Sequence, residues 1–461
     1  MIETIAEKKQ FYRNMLAFAI PITIQTLITS SLNMVDSVMV GQLGVESIAA
    51  VGLANKINTM LIIILQGFAT GAAIFSAQYW GKGDKTGISK VLMITFAIIS
   101  SVSLLSMILV VFNSNSIIGI FSDNSSVIVL GASYIKLISF SYLFTGLTIL
   151  IQVVLRSMGE VKSPMYINIF VIVLNTVLNY IFIFGNFGAP ALGVEGAALA
   201  TVFARVIQTM LLFLLIQKFG ILTELKRLTA KEIFDVTLIK NYLTISIPSV
   251  INHVVWTVGE MTFFWMYSLM GTDVIAAITL IDPLVFIFMA TFIGISDASS
   301  IMVGNRIGAS QKERAYLYSR RFLFLTFILS ICAAFGVILV SPLFISLYKV
   351  TDTVAGYASS VLLIYALIIS PKFLNMVNNM GVLRAGGDTK YVLYLDLLGV
   401  WLVGLPLAAL GIYLKLPLYI VFALGNSHEL VRLFFGIRRT LTKKWLNEIT
   451  NTTEKKIDSH Y

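Results

Sequence analysis

A carboxylate set among long apolar stretches is costly, and several residues of this chain carry that cost. Asp36 follows an apolar run that begins at Met15, with Asn33 one helical turn before it. A carboxylate shielded from water holds a proton more readily. With further oxygens around it, it can also ligate a hard cation such as Na⁺. Asn175 and Asn179 are four residues apart, so a helix would place both carboxamides on one face. Thr201 ends the small-residue run Gly196-Ala-Ala-Leu-Ala-Thr201. Glu260 follows His253 by seven residues and Trp256 by four, on roughly one helical face, and a histidine can change charge near neutral pH. Asp297 and Asp396 stand in similar apolar surroundings. Asn33, His253, Trp256, Asp297 and Asp396 are candidates to touch a substrate; Asp36, Asn175, Asn179, Thr201 and Glu260 are candidates to bind a proton or cation. Amides and hydroxyls also tie helices together inside membranes, which is the plainer use of Asn175, Asn179 and Thr201.

The elements that must position these groups are membrane spans. Of 461 residues, 57% are hydrophobic and only 12% charged, about half the charge of an ordinary soluble domain. Runs such as 91–112 and 166–184 are long enough to cross a hydrocarbon core of about 30 Å as helices. The pattern predicts an all-α protein of twelve spans. Six fall in 1–217 and six in 241–437, joined by a polar linker over 218–240 and followed by a tail over 438–461. The net charge of +10 does not point to nucleic acid, because the basic residues gather in alternate loops. Lys82, Lys85 and Lys90, the group from Arg306 to Arg321, and Arg438 to Lys444 would lie on one side, and that side reads as the cytoplasm. Both termini are then cytoplasmic, in a plasma membrane.

The second half repeats the first. Shifting residues 21–84 by 227 places them on 248–311 without a gap: Pro21 meets Pro248, Gly44 meets Gly271, Gly67 meets Gly294 and Gly81 meets Gly308. Six spans per half bring both halves into the membrane from the same side, so the repeat is parallel, with its pseudo-twofold axis along the membrane normal. Under the shift Glu260 corresponds to Asn33 and Asp36 to Phe263, so the lobes differ where the chemistry-bearing residues sit. Arg384 and Asp388 read as loop partners. There is no Walker loop, Gly-x-Ser-x-Gly or His-Glu-x-x-His motif. An enzyme, a nucleotide-driven pump and an organic cofactor are therefore not expected, nor is an obligatory protein partner.

From about residue 14 to 437 the chain resembles the multidrug and toxic compound extrusion (MATE) family. The resemblance lies in the spacing of Pro21 to Asp36, Val40-Gly-Gln-Leu-Gly44 leading to Ile48-Ala-Ala-Val-Gly52, the paired Arg156 and Arg384 segments, Gly193 to Thr201, and Trp401 with Gly404-Leu-Pro406. It implies a V-shaped bundle of two lobes that exports drugs or other organic, cationic compounds in exchange for H⁺ or Na⁺. It also implies an ion site in the first lobe at Asp36, Asn175, Asn179 and Thr201, which would be the metal ligands if Na⁺ is the coupling ion. Where several family members have a second carboxylate, this chain has Asn179. The NorM-type glutamate position falls on Trp256, with Glu260 one turn later, which leaves NorM-like and DinF-like membership both open. The alternative is a flippase of lipid-linked oligosaccharides, which would call for a cationic cavity built from Arg205 or Lys136.

Overall fold

The computed structural model describes residues 5–450, apart from the side chains of 32–34. Among them the regular structure is entirely helical. The helices are α1 (Ile5–Gly41), α2 (Val45–Lys82), α3 (Lys85–Gly119), α4 (Ser125–Ser139), α5 (Tyr142–Ser157), α6 (Lys162–Phe184), α7 (Val194–Gln217), the short α8 (Ile221–Leu225) and α9 (Ala230–Ile233), α10 (Val236–Ser268), α11 (Thr272–Gly308), α12 (Lys312–Ser346), α13 (Asp352–Asn375), α14 (Thr389–Asp396), α15 (Leu405–Tyr413), α16 (Leu418–Asn426) and α17 (His428–Leu441). Two eight-residue π-helical segments, Met376–Leu383 and Leu397–Gly404, carry α13 and α14 onward.

Among the described residues ten helical stretches are long and apolar enough to cross a membrane, or eleven when α4 and α5, bent by 49°, count as one span. The twelfth long helix is α10, with 33 residues. Its apolar run is broken by Asn252, His253 and Glu260. This agrees with the expected twelve. Polar caps start several spans. Asp84 accepts from the Gly87 amide at 2.8 Å at the head of α3, and Asn124 accepts from the Ser126 amide at 2.9 Å at the head of α4.

The repeat is visible in the backbone. Gly44 and Gly271, each just before a long helix, have φ of +107° and +123°, a region that residues with a Cβ rarely enter. The chain divides into two compact units, Ile24–Val250 and the remaining described residues, 5–23 with 251–450. The breaks at 24 and 251 again differ by 227. They follow Pro21 and Pro248, which interrupt α1 and α10. The division therefore does not fall in the polar segment 218–240. The first part of α1 packs with the second repeat, and the first part of α10 with the first.

Close-approach glycines hold each exchange. A Cβ on Gly67 would sit 2.5 Å from the Val250 Cα, and one on Gly294 would sit 2.6 Å from the Ala19 carbonyl oxygen. Phe11, fully buried, meets Tyr318 and Phe322 at ring distances of 4.8 and 5.1 Å. In the other unit the Tyr242 hydroxyl donates to the Phe68 carbonyl at 2.8 Å. Segment 438–450 is not a free tail as far as it is described. Arg438 to Leu441 complete α17, and Trp445 is wholly buried, its indole N–H donating to the Thr440 carbonyl at 3.0 Å.

Candidate functional site

In the unit Ile24–Val250 the helices enclose a cavity of about 570 Å³. Helical spacing explains its lining. On α6, Asn168, Ile172, Asn175 and Asn179 recur every three to four residues, and on α7 so do Ala197, Thr201, Arg205 and Gln208. Each set forms one stripe along its helix. Thr145, Thr148 and Gln152 do the same on α5, and Asn55, Thr59 and Gln66 on α2.

Asp36 is half-buried and faces this cavity from α1. The Asn179 amide donates to its Oδ1 at 2.6 Å, and the same amide approaches Asn175 Oδ1 at 3.4 Å. Asn179 is 1% exposed, and its own Oδ1 has no hydrogen-bond partner. Thr201 lines the cavity, with its hydroxyl bonded back to the Ala197 carbonyl at 3.0 Å. The structure thus gathers Asp36, Asn175, Asn179 and Thr201 around one space. Asn33 lies outside the residues whose side chains are described.

Sequence reasoning passed over most of the polar wall. Gln152 donates to Asn168 Oδ1 at 2.8 Å, Gln208 donates to the same oxygen, and Gln25 reaches Gln152 at 3.4 Å. Arg205 donates to Gln208 Oε1 at 2.8 Å and acts electrostatically on Asp36 across the cavity. The signal was present in the sequence as polar residues at helical spacing within apolar spans, at 145, 148 and 152, or 201, 205 and 208. The cavity lining includes Arg205 but not Lys136.

The other unit holds a buried charge network. Arg432 Nη2 lies 2.5 Å from Asp396 Oδ1, and its Nη1 lies 3.0 Å from Glu429 Oε2. Asn252 donates to Asp396 Oδ2 at 2.6 Å, Arg384 donates to Asn252 Oδ1 at 2.6 Å, and Asn375 donates to Glu429 Oε2 at 2.8 Å. Asp396, Glu429 and Arg432 are each at most 3% exposed. Trp256 lies beneath the Arg432 guanidinium, 5.0 Å from ring centre to Cζ. Asp297 and His253, both half-buried, interact electrostatically with Arg384. Asp396 and Trp256 are thereby brought together with a partner, Arg432, that sequence reasoning missed.

One expectation needs correction. Arg384 is not a loop partner of Asp388: it is buried against Asn252, and Asp388 pairs with Arg439 Nε at 2.6 Å. The π-helical segment carries Arg384 inward, while α17 presents Arg439 to the loop. Glu260 is exposed and makes no direct hydrogen bond or ion pair with a described residue, though it acts on Arg432 at longer range. It also acts at longer range on Tyr267, Asp282 and Tyr365. Phe263, the repeat mate of Asp36, stacks on His428 with ring centres 5.8 Å apart.

Comparison with known proteins agrees with this architecture. An uncharacterised transporter of Bacillus subtilis, YisQ, is 26% identical over 433 residues, covering 93% of this chain and 94% of its own. The multidrug resistance protein MdtK of Edwardsiella ictaluri is 26% identical over 448 residues, covering 94% and 95%. A crystal structure of MATE in the bent conformation matches with a TM-score of 0.83 over 94% of this chain and 96% of that one, at 18% identity, a likeness of fold. The MatE family profile matches residues 21–181 and again 248–410. The two matches begin at Pro21 and Pro248, the first pair of the internal repeat, and together they cover well over half the protein: the chain belongs to the MatE family of membrane transporters.

Proposed function

We propose that this transporter is an antiporter that exports small organic compounds bearing a cationic group across the plasma membrane, in exchange for H⁺ or Na⁺. The observation that carries this reading is Asp36, the one carboxylate among the described residues that line a cavity of about 570 Å³ within a membrane-spanning unit. Multidrug resistance proteins among its relatives support export as the direction of transport. In its charged form Asp36 accepts the Asn179 amide and attracts a cation. Protonation removes that charge and weakens the hold on a cationic substrate, so proton and substrate compete for one group. Either ligand shifts the transporter between states only by binding one state better than the other. If the ion is Na⁺, the oxygens at hand are those of Asp36, Asn175, Asn179 and Thr201, and the unpartnered Asn179 Oδ1 suits such a role.

A flippase of pyrophosphate-linked lipids would favour a cationic cavity. Here Arg205 is offset by Asp36, which supports the antiport reading. The test is substrate-induced proton release from purified protein at pH 7, with and without Na⁺. Release is expected from the wild type and at least tenfold less from Asp36→Asn. Equal release from both would overturn the role of Asp36. Release abolished by Na⁺ would assign the coupling to that ion.

A further inference from the structure

We infer that the Asp36 cavity selects zwitterionic organic solutes, with an ammonium group held against Asp36 and a carboxylate held against Arg205. This rests on the reading of that cavity as the substrate site.

Asp36 and Arg205 line the same space, yet no direct ion pair joins them. Each is held by an amide instead, Asp36 by Asn179 at 2.6 Å and Arg205 by Gln208 at 2.8 Å. Charges withdrawn from bulk water are costly without an opposite charge close by. Two opposite charges in one cavity, each lacking its counter-ion at contact distance, are both satisfied by one solute that carries the complement of each. A bare cation satisfies Asp36 and leaves Arg205 as it was.

The donors and acceptors fit. An ammonium has three N–H groups, and beside the Asp36 carboxylate stands the unpartnered carbonyl oxygen of Asn179. A guanidinium has five N–H groups in a fork that matches a carboxylate, and Gln208 takes one of them.

The wall agrees. Among the described lining side chains nine are carboxamides, one (Tyr134) is aromatic and none is methionine. Flat lipophilic cations are favoured by aromatic faces and by pliable methionine. An amide wall that gives up hydrogen bonds to water gains only from a solute that returns them. The volume lies within the roughly 300–1,000 Å³ of sites for drug-sized molecules.

Three forms of one molecule test the assignment by titration calorimetry at pH 7: glycyl-tryptophan (zwitterion), its methyl ester (cation) and N-acetyl-glycyl-tryptophan (anion). The zwitterion is expected to bind the wild type at least tenfold more tightly than either of the others. Arg205→Gln should bring the zwitterion down to the level of the ester or below it, while the ester, relieved of a nearby positive charge, binds no more weakly than before. Arg205→Lys, which keeps the charge, should keep the preference and guards against a misfolded variant. An ester that binds wild type as well as the zwitterion, failure of all three to bind, or a preference that survives Arg205→Gln would overturn the inference. Proton-gradient-driven uptake of ethidium into proteoliposomes separates the two readings. Asp36-dependent uptake without the zwitterion preference leaves antiport standing and removes this substrate class. The preference without gradient-driven flux of ethidium or of glycyl-tryptophan removes antiport.

Discussion

At the scale of single residues, the two units use charge in opposite ways. Asp36 is half-buried, faces a cavity and accepts one amide, so its state can change at little structural cost. Asp396 is 1% exposed and locked by Arg432 and Asn252. Removing one partner of a buried pair strands the other charge and costs about 3–5 kcal/mol. Arg432→Leu, which strands both Asp396 and Glu429, is therefore expected to destabilise the protein by about that amount in denaturant titrations in micelles. Asp396→Asn combined with Arg432→Gln should recover part of the loss. A loss under about 1 kcal/mol for the single variant would show that the network contributes little to stability.

At the scale of elements, α1 and α10 each begin in one repeat and end in the other. The exchange depends on close approach, and the repeat-related glycines Gly67 and Gly294 provide it. A larger side chain at such a contact forces the helices apart, typically at about 1–3 kcal/mol. Gly294→Leu should destabilise by at least that range, because the Ala19 backbone cannot move aside as a side chain could. Gly52→Leu should be nearly neutral, since a Cβ there meets nothing within 4 Å. Thermal unfolding of the two variants side by side is the measurement. Equal midpoints would remove the packing account.

At the scale of the whole molecule, the described C-terminal segment is part of its unit. Trp445 fills a site formed with Gly386, Lys443 reaches Glu313 at 2.9 Å and Lys312 reaches Glu448 at 3.3 Å. The exposed ion pairs are worth little, but a fully buried tryptophan is not. Trp445→Ala should cost about 3–5 kcal/mol, read as a lower unfolding midpoint, whereas Lys443→Ala should leave it nearly unchanged.

By itself the sequence determined the features that obey local rules. Apolar runs of membrane length set the helical class and the count of spans, and glycines and prolines at a constant offset revealed the repeat. Helical spacing alone put Asn175 and Asn179 on one face, where the structure has them lining the cavity with Asp36. Tertiary structure decided the rest. Arg384 stands four residues from Asp388 but is carried inward to Asn252 by a π-helical segment. The partnership of Asp396 with Arg432 joins positions 36 residues apart in the numbering, and Gln25, Gln152, Asn168 and Gln208 come from four different helices. Local spacing fixes which face of a helix a side chain occupies. Which faces meet is set by the packing of distant segments, and no local pattern in one sequence encodes that.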